Sequence, residues 1–187
     1  MPTRFHELAR QVADVMRGNV SVAARADGAA VVTAEMTPLG RAIRIVLSEL
    51  RKEVPYDSCS VQELRGSRLT IIGGVGFADL DVILGESFDI DNIDIPNGEV
   101  IYRRRPLLVG DAEQYRAFRR GLHVGAGIHS WLGVPMIDAD RIAGMIALDK
   151  AEPDFYSPAQ ADIALSYASL IARACHEASS SDAQSYA

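Results

Sequence analysis

The segment that follows Ser157 carries two separate apolar stripes on what its pattern predicts to be a single helix. A capping hydroxyl at Ser157 followed by proline is a typical helix start, and the helical pattern runs to about Ala178. One stripe consists of Ile163, Tyr167, Leu170 and Ala174, and the other, roughly 130° away at 100° per residue, consists of Ala161, Ala164, Leu165, Ala168, Ile171 and Cys175. A helix that lies on one sheet needs only one such stripe. This helix must therefore be covered on two sides, by the sheet and by either another helix or another subunit.

Two further amphipathic helices are predicted nearer the start of the chain. Residues 3–16 place apolar side chains at spacings of three and four, and Thr37 followed by Pro38 starts a second helix that ends near residue 54. Residues 18–35 have no helical stripe, and their pattern fits either a linker or a short strand over residues 29–33. The pattern thus predicts an N-terminal helix and linker over residues 1–36, a folded domain over residues 37–178 and a flexible tail over residues 179–187.

Segments typical of β-strands fill the middle and the second half of the chain. They are residues 58–64, 68–72, 106–109, 130–137 and 142–149. The last two flank the short polar turn from Asp138 to Arg141, which predicts a hairpin. Strands grouped between helices favour an α+β fold, in which an antiparallel sheet carries helices packed on it.

The segments between these strands are predicted to be mostly irregular. Residues 73–76 (GGVG) are interpreted as a flexible loop that ends the second strand, because the lysine of a phosphate-binding loop is missing. The acidic residues 79–94 are interpreted as a solvated loop, and residues 112–120 as a short helix.

Composition excludes several classes of function. The 187 residues contain 19 Lys and Arg against 25 Asp and Glu, and the resulting net charge of −6 argues against direct binding of nucleic acid. No apolar run is long enough to span a membrane, and the first residues do not resemble a signal peptide. We therefore expect a cytoplasmic protein that does not bind membranes.

Several short motifs, in their order and spacing, resemble the GAF domain family. They are VPYDS at residues 54–58, PNGEV at 96–100, RPLLV at 105–109, SWLGVPM at 130–136, GMIALD at 144–149 and FYSP at 155–158. The resemblance covers residues 37–178. It implies a GAF/PAS-like six-stranded antiparallel sheet with a helix bundle on one face and a ligand pocket with short helices on the other. It also implies a sensory module of a bacterial signalling protein, such as a two-component system.

Strand alternation assigns the residues of the SWLGVPM segment to two faces. Leu132, Val134 and Met136 share the apolar face that should lie under the helices, so Trp131 and Gly133 point to the face that holds the pocket in the family. Trp131 either walls a ligand or fills the cavity itself. The ligand pocket predicted from the resemblance consists of Trp131, Gly133, His129, Phe118, Tyr115, Asp149 and Phe88.

The known chemistries of the family can be compared with the residues present. Bilin-binding members attach their chromophore through a Cys where this chain has Phe118, so no covalent bilin is expected. Free-methionine-sulfoxide reductases use cysteines around a small pocket, and here Cys59 and Cys175 lie on an early strand and on the last helix. This position argues against reductase chemistry.

Mononuclear iron is the alternative that the residues favour most. Nitric-oxide-responsive members hold iron with carboxylates, a His and a Cys. The resemblance places His129, Asp149 and Asp111 at such positions, with Glu113 nearby, and it places Trp131 at the position of the Cys. A His with carboxylates is a suitable ligand set for ferrous iron.

The leading hypothesis is a non-catalytic sensor that binds a small-molecule effector and signals through its terminal helices. GAF domains commonly dimerise through such helices, so the resemblance favours a homodimer. Its predicted interface consists of Ala161, Ala164, Leu165, Ala168 and Ile171. The alternative is that the N-terminal helix folds back and covers this stripe within one subunit.

Overall fold

A computed structural model describes residues 2–18, 37–91, 95–115 and 127–185. Its helices are α1 (Pro2–Met16), α2 (Pro38–Glu53), α3 (Leu80–Ile83), α4 (Pro96–Arg103) and α5 (Pro158–Ser185). Its strands are β1 (Ser58–Arg65), β2 (Arg68–Val75), β3 (Ser87–Asp89), β4 (Leu107–Val109), β5 (Ser130–Asp138) and β6 (Arg141–Lys150). None of the helices described is long and apolar enough to cross a membrane.

The strands form one six-stranded antiparallel sheet in the order β3-β2-β1-β6-β5-β4. The hairpin of β5 and β6 and strand β1 form its centre, and three-residue strands close both edges. This arrangement confirms the α+β fold predicted from the sequence. The segment PNGEVIYR forms α4, which packs on the sheet.

Helices α1, α2 and α5 form a layer on one face of the sheet. Helices α2 and α5 contact the strands, and α1 packs against both of these helices. The rings of Phe5 and Tyr167 meet edge to face at 5.7 Å, and the Tyr167 hydroxyl donates a hydrogen bond of 2.7 Å to Glu53. Leu132 and Val134 are fully buried in the core under these helices, on the face that strand alternation assigned to them.

The predicted dimer stripe on α5 lies in the core of the subunit. Ala161, Ala164, Ala168 and Ile171 are each at most 3 % exposed, and Leu165 is half-buried. The sheet and the other two helices cover both apolar stripes of α5, so the interpretation of the second stripe as an intersubunit surface is wrong. A helical projection shows that two sides need cover, but both partners come from within the chain. Homodimerisation itself stays a prediction, but these residues no longer form its predicted interface.

Strand β2 continues through the glycines that were expected to end it. A Cβ atom at Gly73 would lie 3.2 Å from Ile43 of α2, and one at Gly74 would lie 2.9 Å from the ring of Phe77. The two glycines therefore allow neighbouring side chains to pack directly on the strand. Their role here is close packing rather than chain flexibility.

The acidic segment after β2 contains regular structure instead of only a solvated loop. The Asp79 carboxylate accepts a hydrogen bond from the backbone N–H of Asp81 and caps α3. Residues Ser87–Asp89 then pair with Arg68–Thr70 as strand β3. Local capping and an available sheet edge outweigh the high polarity of this segment. Of the short helix expected over residues 112–120, residues 112–114 form a turn and residues 116–120 lie outside the described residues, as does most of the expected linker.

Helix α5 extends to Ser185, through most of the segment that was expected to be a flexible tail. The hydroxyls of Ser179, Ser180 and Ser181 donate to the carbonyl oxygens four residues earlier, at 2.9–3.0 Å. Serine side chains that bond back to their own helix are compatible with helical backbone. Composition alone therefore underestimated the length of this helix.

Burial of the α5 stripe within the subunit predicts different effects for two neighbouring substitutions. Ala168→Glu places an unpaired carboxylate in the helix-side core and should lower the free energy of unfolding by about 3 kcal/mol or more. Ser166→Glu, at an exposed position on the same helix, should change it by less than about 0.5 kcal/mol. Urea unfolding followed by circular dichroism measures both. A fully stable Ala168→Glu protein that has merely changed from dimer to monomer would contradict the burial described here.

Candidate functional site

The face of the sheet away from α1, α2 and α5 carries its own apolar core. We call it the distal face. Its buried side chains include Trp131 of β5, Met145 and Ala147 of β6 and Leu69 of β2, and Val100 of α4 packs against them. Because strand side chains alternate, each central strand contributes to both cores.

A row of small residues crosses the middle of the distal face. The strand register places Gly133, Ala147, Ser60 and Gly74 side by side on β5, β6, β1 and β2. None of these side chains is larger than that of serine, so the row forms a shallow trough across four strands. We refer to these four residues as the trough.

Aromatic rings cover both ends of the trough. A Cβ atom at Gly133 would collide with the indole ring of Trp131 and would lie 2.7 Å from Val100, so the indole fills the space above this glycine. The ring of Phe77 covers Gly74 in the same way. Trp131, at 4 % exposure, thus fills one end of the predicted pocket, while Ala147 and Ser60 lie in the row between the two aromatic residues.

A buried carboxyl group lies beside the trough, in the row Trp131, Asp149, Ser58. The Ser58 hydroxyl donates a hydrogen bond of 2.6 Å to Asp149, and both residues are buried. Burial raises the pKa of Asp149 to about 7, and the nearby Asp57 carboxylate adds to this rise, while the bond from Ser58 opposes it. Asp149 therefore changes its charge near neutral pH.

A chain of polar side chains extends from the trough towards α4. The Gln62 amide donates to the Ser60 hydroxyl at 3.1 Å, and the Asn97 amide donates to Gln62 Oε1 at 2.8 Å. Sequence reasoning did not identify Ser58, Ser60, Gln62 or Asn97 as site residues. A signal was present, because the segment SCSVQ alternates polar and apolar residues and so places three polar side chains on one face.

His129 and Asp111 lie together near the end of β4, with Glu113 close by. Each of the three offers one ligand atom within 4.8 Å of the others, and His129 Nδ1 is 3.6 Å from Asp111 Oδ1. Hydrogen bonds from the Glu113 backbone, the Gln114 side chain and His129 lower the pKa of Asp111. Asp149, expected as a third iron ligand, does not belong to this group, because its carboxylate is bonded to Ser58.

The remaining predicted pocket residues lie around the distal core. The Tyr115 hydroxyl donates to Glu99 of α4 at 3.2 Å, and Phe88 of edge strand β3 packs against the distal core. Phe118 lies outside the described residues. The structure therefore brings Trp131, Gly133 and Asp149 together on the central strands and places Tyr115 and Phe88 further out.

Both cysteines are buried in the core on the helix side of the sheet, away from the trough. Cys59 is fully buried and Cys175 is nearly so. Burial raises the pKa of the Cys59 thiol well above its usual range and that of Cys175 to about 12. Neither thiol is in a position or an ionisation state that suits a nucleophile.

Solved structures with this fold cover most of the chain. The GAF domain of a phosphoenolpyruvate-protein phosphotransferase from Coxiella burnetii is 17 % identical, covers 96 % of each chain and has a TM-score of 0.70. The corresponding domain from Acinetobacter is 16 % identical, covers 93 % of each chain and has a TM-score of 0.67. A type II free methionine-R-sulfoxide reductase from Thermoplasma acidophilum is 17 % identical over 74 % of this chain and 93 % of its own, with a TM-score of 0.63. At these identities the likeness concerns the fold alone.

The sequence itself identifies the family. A search of curated proteins found no match. The sequence model of the GAF domain, however, matches residues 38–175, which is well over half of the chain. GAF domains are generally small-molecule sensors, and the protein belongs to this family.

Proposed function

We propose that this chain is a non-catalytic sensory domain that binds a small polar effector over the trough of the distal face. The observation that carries the proposal is the set of buried polar side chains at this place. Of the five buried polar residues among those described, four lie on the distal face: Ser58, Ser60, Gln62 and Asp149. Burial of polar groups is costly unless they are hydrogen-bonded. A face that only had to pack on α4 would be expected to be apolar.

The chemistry of these groups indicates the kind of effector. Hydroxyl, amide and carboxyl groups offer both donors and acceptors, and the row between the two aromatic residues carries only the small side chains of Ala147 and Ser60. Trp131 and Phe77 at the two ends provide apolar walls. We infer a small organic molecule that makes several hydrogen bonds and has a planar or apolar part.

The route of the signal follows from the two faces of β5. Trp131 and Gly133 face the trough, while Leu132 and Val134 of the same strand are fully buried against the helices. Because protein cores are close-packed, a shift of β5 has to be matched by the helices that rest on it. We infer that α5, which lies directly on β5, passes effector binding to a partner or an output domain.

The effector proposal is tested by the fluorescence of Trp131, the only tryptophan in the sequence. A panel of amino acids, nucleosides and organic acids is titrated, and a compound that binds over the trough should change the Trp131 emission. Ser60→Leu fills the floor and should weaken binding of that compound at least tenfold, while Ser48→Leu, at an exposed position of α2, should leave it unchanged. A compound that binds both variants equally by calorimetry, without any change of emission, would refute the site.

The pKa of Asp149 predicts a pH-dependent difference in stability. Its folded value of about 7 lies above its usual 3.8, so between these pH values the folded state holds a proton that the unfolded state releases. Stability contributed by Asp149 is therefore lost as the pH rises towards 7. Relative to wild type, Asp149→Asn should become more stable by about 2–3 kcal/mol between pH 5 and pH 8, at about 1.4 kcal/mol per pKa unit.

Urea unfolding at several pH values measures this difference, with Asp57→Asn as the contrast. Lys150 and the Ala151 N–H lower the pKa of Asp57, so its contribution is present at neutral pH and is lost as the pH falls below about 4. Asp57→Asn should thus be less stable than wild type at pH 7. A stability difference for Asp149→Asn that is constant from pH 5 to pH 8 would contradict the raised pKa.

A second candidate function is a mononuclear iron sensor, which the cluster of Asp111, Glu113 and His129 favours. One imidazole and two carboxylates are a suitable ligand set for ferrous iron, and such an ion would supply a coordination position for nitric oxide. Trp131, at the position of the family's cysteine ligand, is buried in the distal core and has no ligand atom for iron. The three clustered residues would therefore hold the ion.

Metal analysis tests this second function. After anaerobic loading with a ferrous salt, the iron hypothesis predicts about one iron per chain and a paramagnetic signal when nitric oxide is added. His129→Ala should remove both, whereas His176→Ala, whose imidazole is paired with Asp138, should remove neither. Failure of the wild-type protein to retain iron would exclude this function.

A further inference from the structure

A cavity of about 300 Å³ lies at the edge of the sheet, between α2, the second half of β2 and α3. Its apolar lining consists of Ile43, Ile72, Val75, Phe77, Leu80 and Leu84. All but Ile43 are half-buried, so the lining is only partly covered by the described part of the chain. We call this cavity the edge pocket. It has a size at the lower end of the range typical of small-molecule sites.

Three glycines at the end of β2 and just after it leave room for the edge pocket. Gly73 and Gly74 line it, and Gly76 has a φ of +89°, where a Cβ atom would collide with the backbone oxygen of Asp57. This left-handed turn reverses the chain so that the ring of Phe77 lies against Gly74. Phe77 thereby separates the edge pocket from the trough.

The pocket also borders the part of β2 that does not pair with β3. Strand β3 pairs with β2 only as far as Thr70, and Ile71 exchanges backbone hydrogen bonds with residues 85 and 86. Ile71 lies opposite Gln62 of β1, and Gly74 lies opposite Ser60. Gln62 and Ser60 are two positions apart on β1, so their partners on β2 direct their backbone groups towards the same edge. The backbone N–H of Gly74 therefore points outward from the sheet, as that of Ile71 does. Among the described residues no hydrogen bond to this outward N–H is found beyond the sheet.

The charge at the pocket indicates the class of ligand that it binds. Arg44 of α2 is the one charged residue among the described lining residues, and it is exposed at the rim. Arg44 already interacts with another residue, but a guanidinium has five N–H donors and can donate hydrogen bonds to a further partner as well. One guanidinium beside apolar walls complements a singly charged carboxylate, which it can bind with two parallel hydrogen bonds.

We propose that the edge pocket is a second binding site, which takes a small monocarboxylate with an apolar ring or chain. The carboxylate binds Arg44 and the outward N–H of Gly74, and the apolar part lies among Phe77, Leu80 and Leu84. The volume of about 300 Å³ favours a small molecule. The site adjoins the trough at Gly74, but its lining includes none of Trp131, Ala147 and Ser60, so it does not depend on the proposed function.

The experiment uses phenylacetate as the probe and phenylacetamide as its uncharged counterpart. The 187-residue protein, labelled with nitrogen-15, is titrated with each compound to millimolar concentration while amide NMR signals are followed. Phenylacetate should shift the amide signals of Gly40, Gly73, Gly74 and Gly76, which line the pocket, and leave the Trp131 indole N–H in place. Phenylacetamide should bind about tenfold more weakly.

Two variants locate the contacts. Arg44→Gln should lower the affinity for phenylacetate about tenfold, to that of phenylacetamide, and Leu84→Ala should weaken both compounds. Lys52→Gln removes a positive charge from an exposed position further along α2 and should change neither. Equal affinity of the wild type for both compounds, or no shift at the four glycines, would overturn the proposal. Shifts confined to Trp131 and Ser60 would also overturn it, while supporting the effector site of the distal face.

Discussion

Strands β5 and β6 are buried on both of their faces, and the rest of the structure is arranged to supply these two covers. Residues 130–136 and 143–149 are all buried, although they form the centre of a single sheet. Leu132 and Ile146 are covered by the helix layer, and Trp131 and Met145 by α4 and its neighbours. Full burial of each such side chain contributes about 1.5–3 kcal/mol, so neither cover can be removed at small cost. The helix layer and the distal core are therefore both obligatory parts of the fold.

The alternation within these strands is also why the sequence predicts their faces correctly. With a period of two, each residue of SWLGVPM has only two possible environments, and the apolar triplet Leu132, Val134 and Met136 identifies one of them. The helical stripes of α5 carry less information, because they show how much surface needs cover but not which element provides it. The contact between Phe5 and Tyr167 joins residues 162 positions apart in the sequence, and no local pattern indicates such a contact.

The site residues show the same difference between local and long-range information. Trp131, Gly133 and Asp149 were found because the family motifs run through the central strands that carry them. The hydrogen bond from Ser58 to Asp149 depends on the pairing of β1 with β6, which brings together residues 91 positions apart. This bond holds the Asp149 carboxylate on Ser58, and Asp149 is not part of the cluster of Asp111, Glu113 and His129. A ligand set taken from motif positions alone cannot include this information, since hydrogen-bond partners are set by register.

The glycines of β2 connect the two candidate sites. Gly74 belongs to the trough through its pairing with Ser60, and its outward N–H belongs to the edge pocket. Phe77 packs directly on Gly74, at the boundary between the two sites. A ligand on either side would contact the same ring, and a close-packed interior transmits a displacement of this ring. A ligand at one site can change the affinity of the other site only if it binds with different affinity to two conformations of the protein that differ in the position of Phe77. Coupling between sites is such a difference of binding free energies. The glycines that interrupt the apolar pattern of β2 in the sequence are thus the point at which the two sites meet.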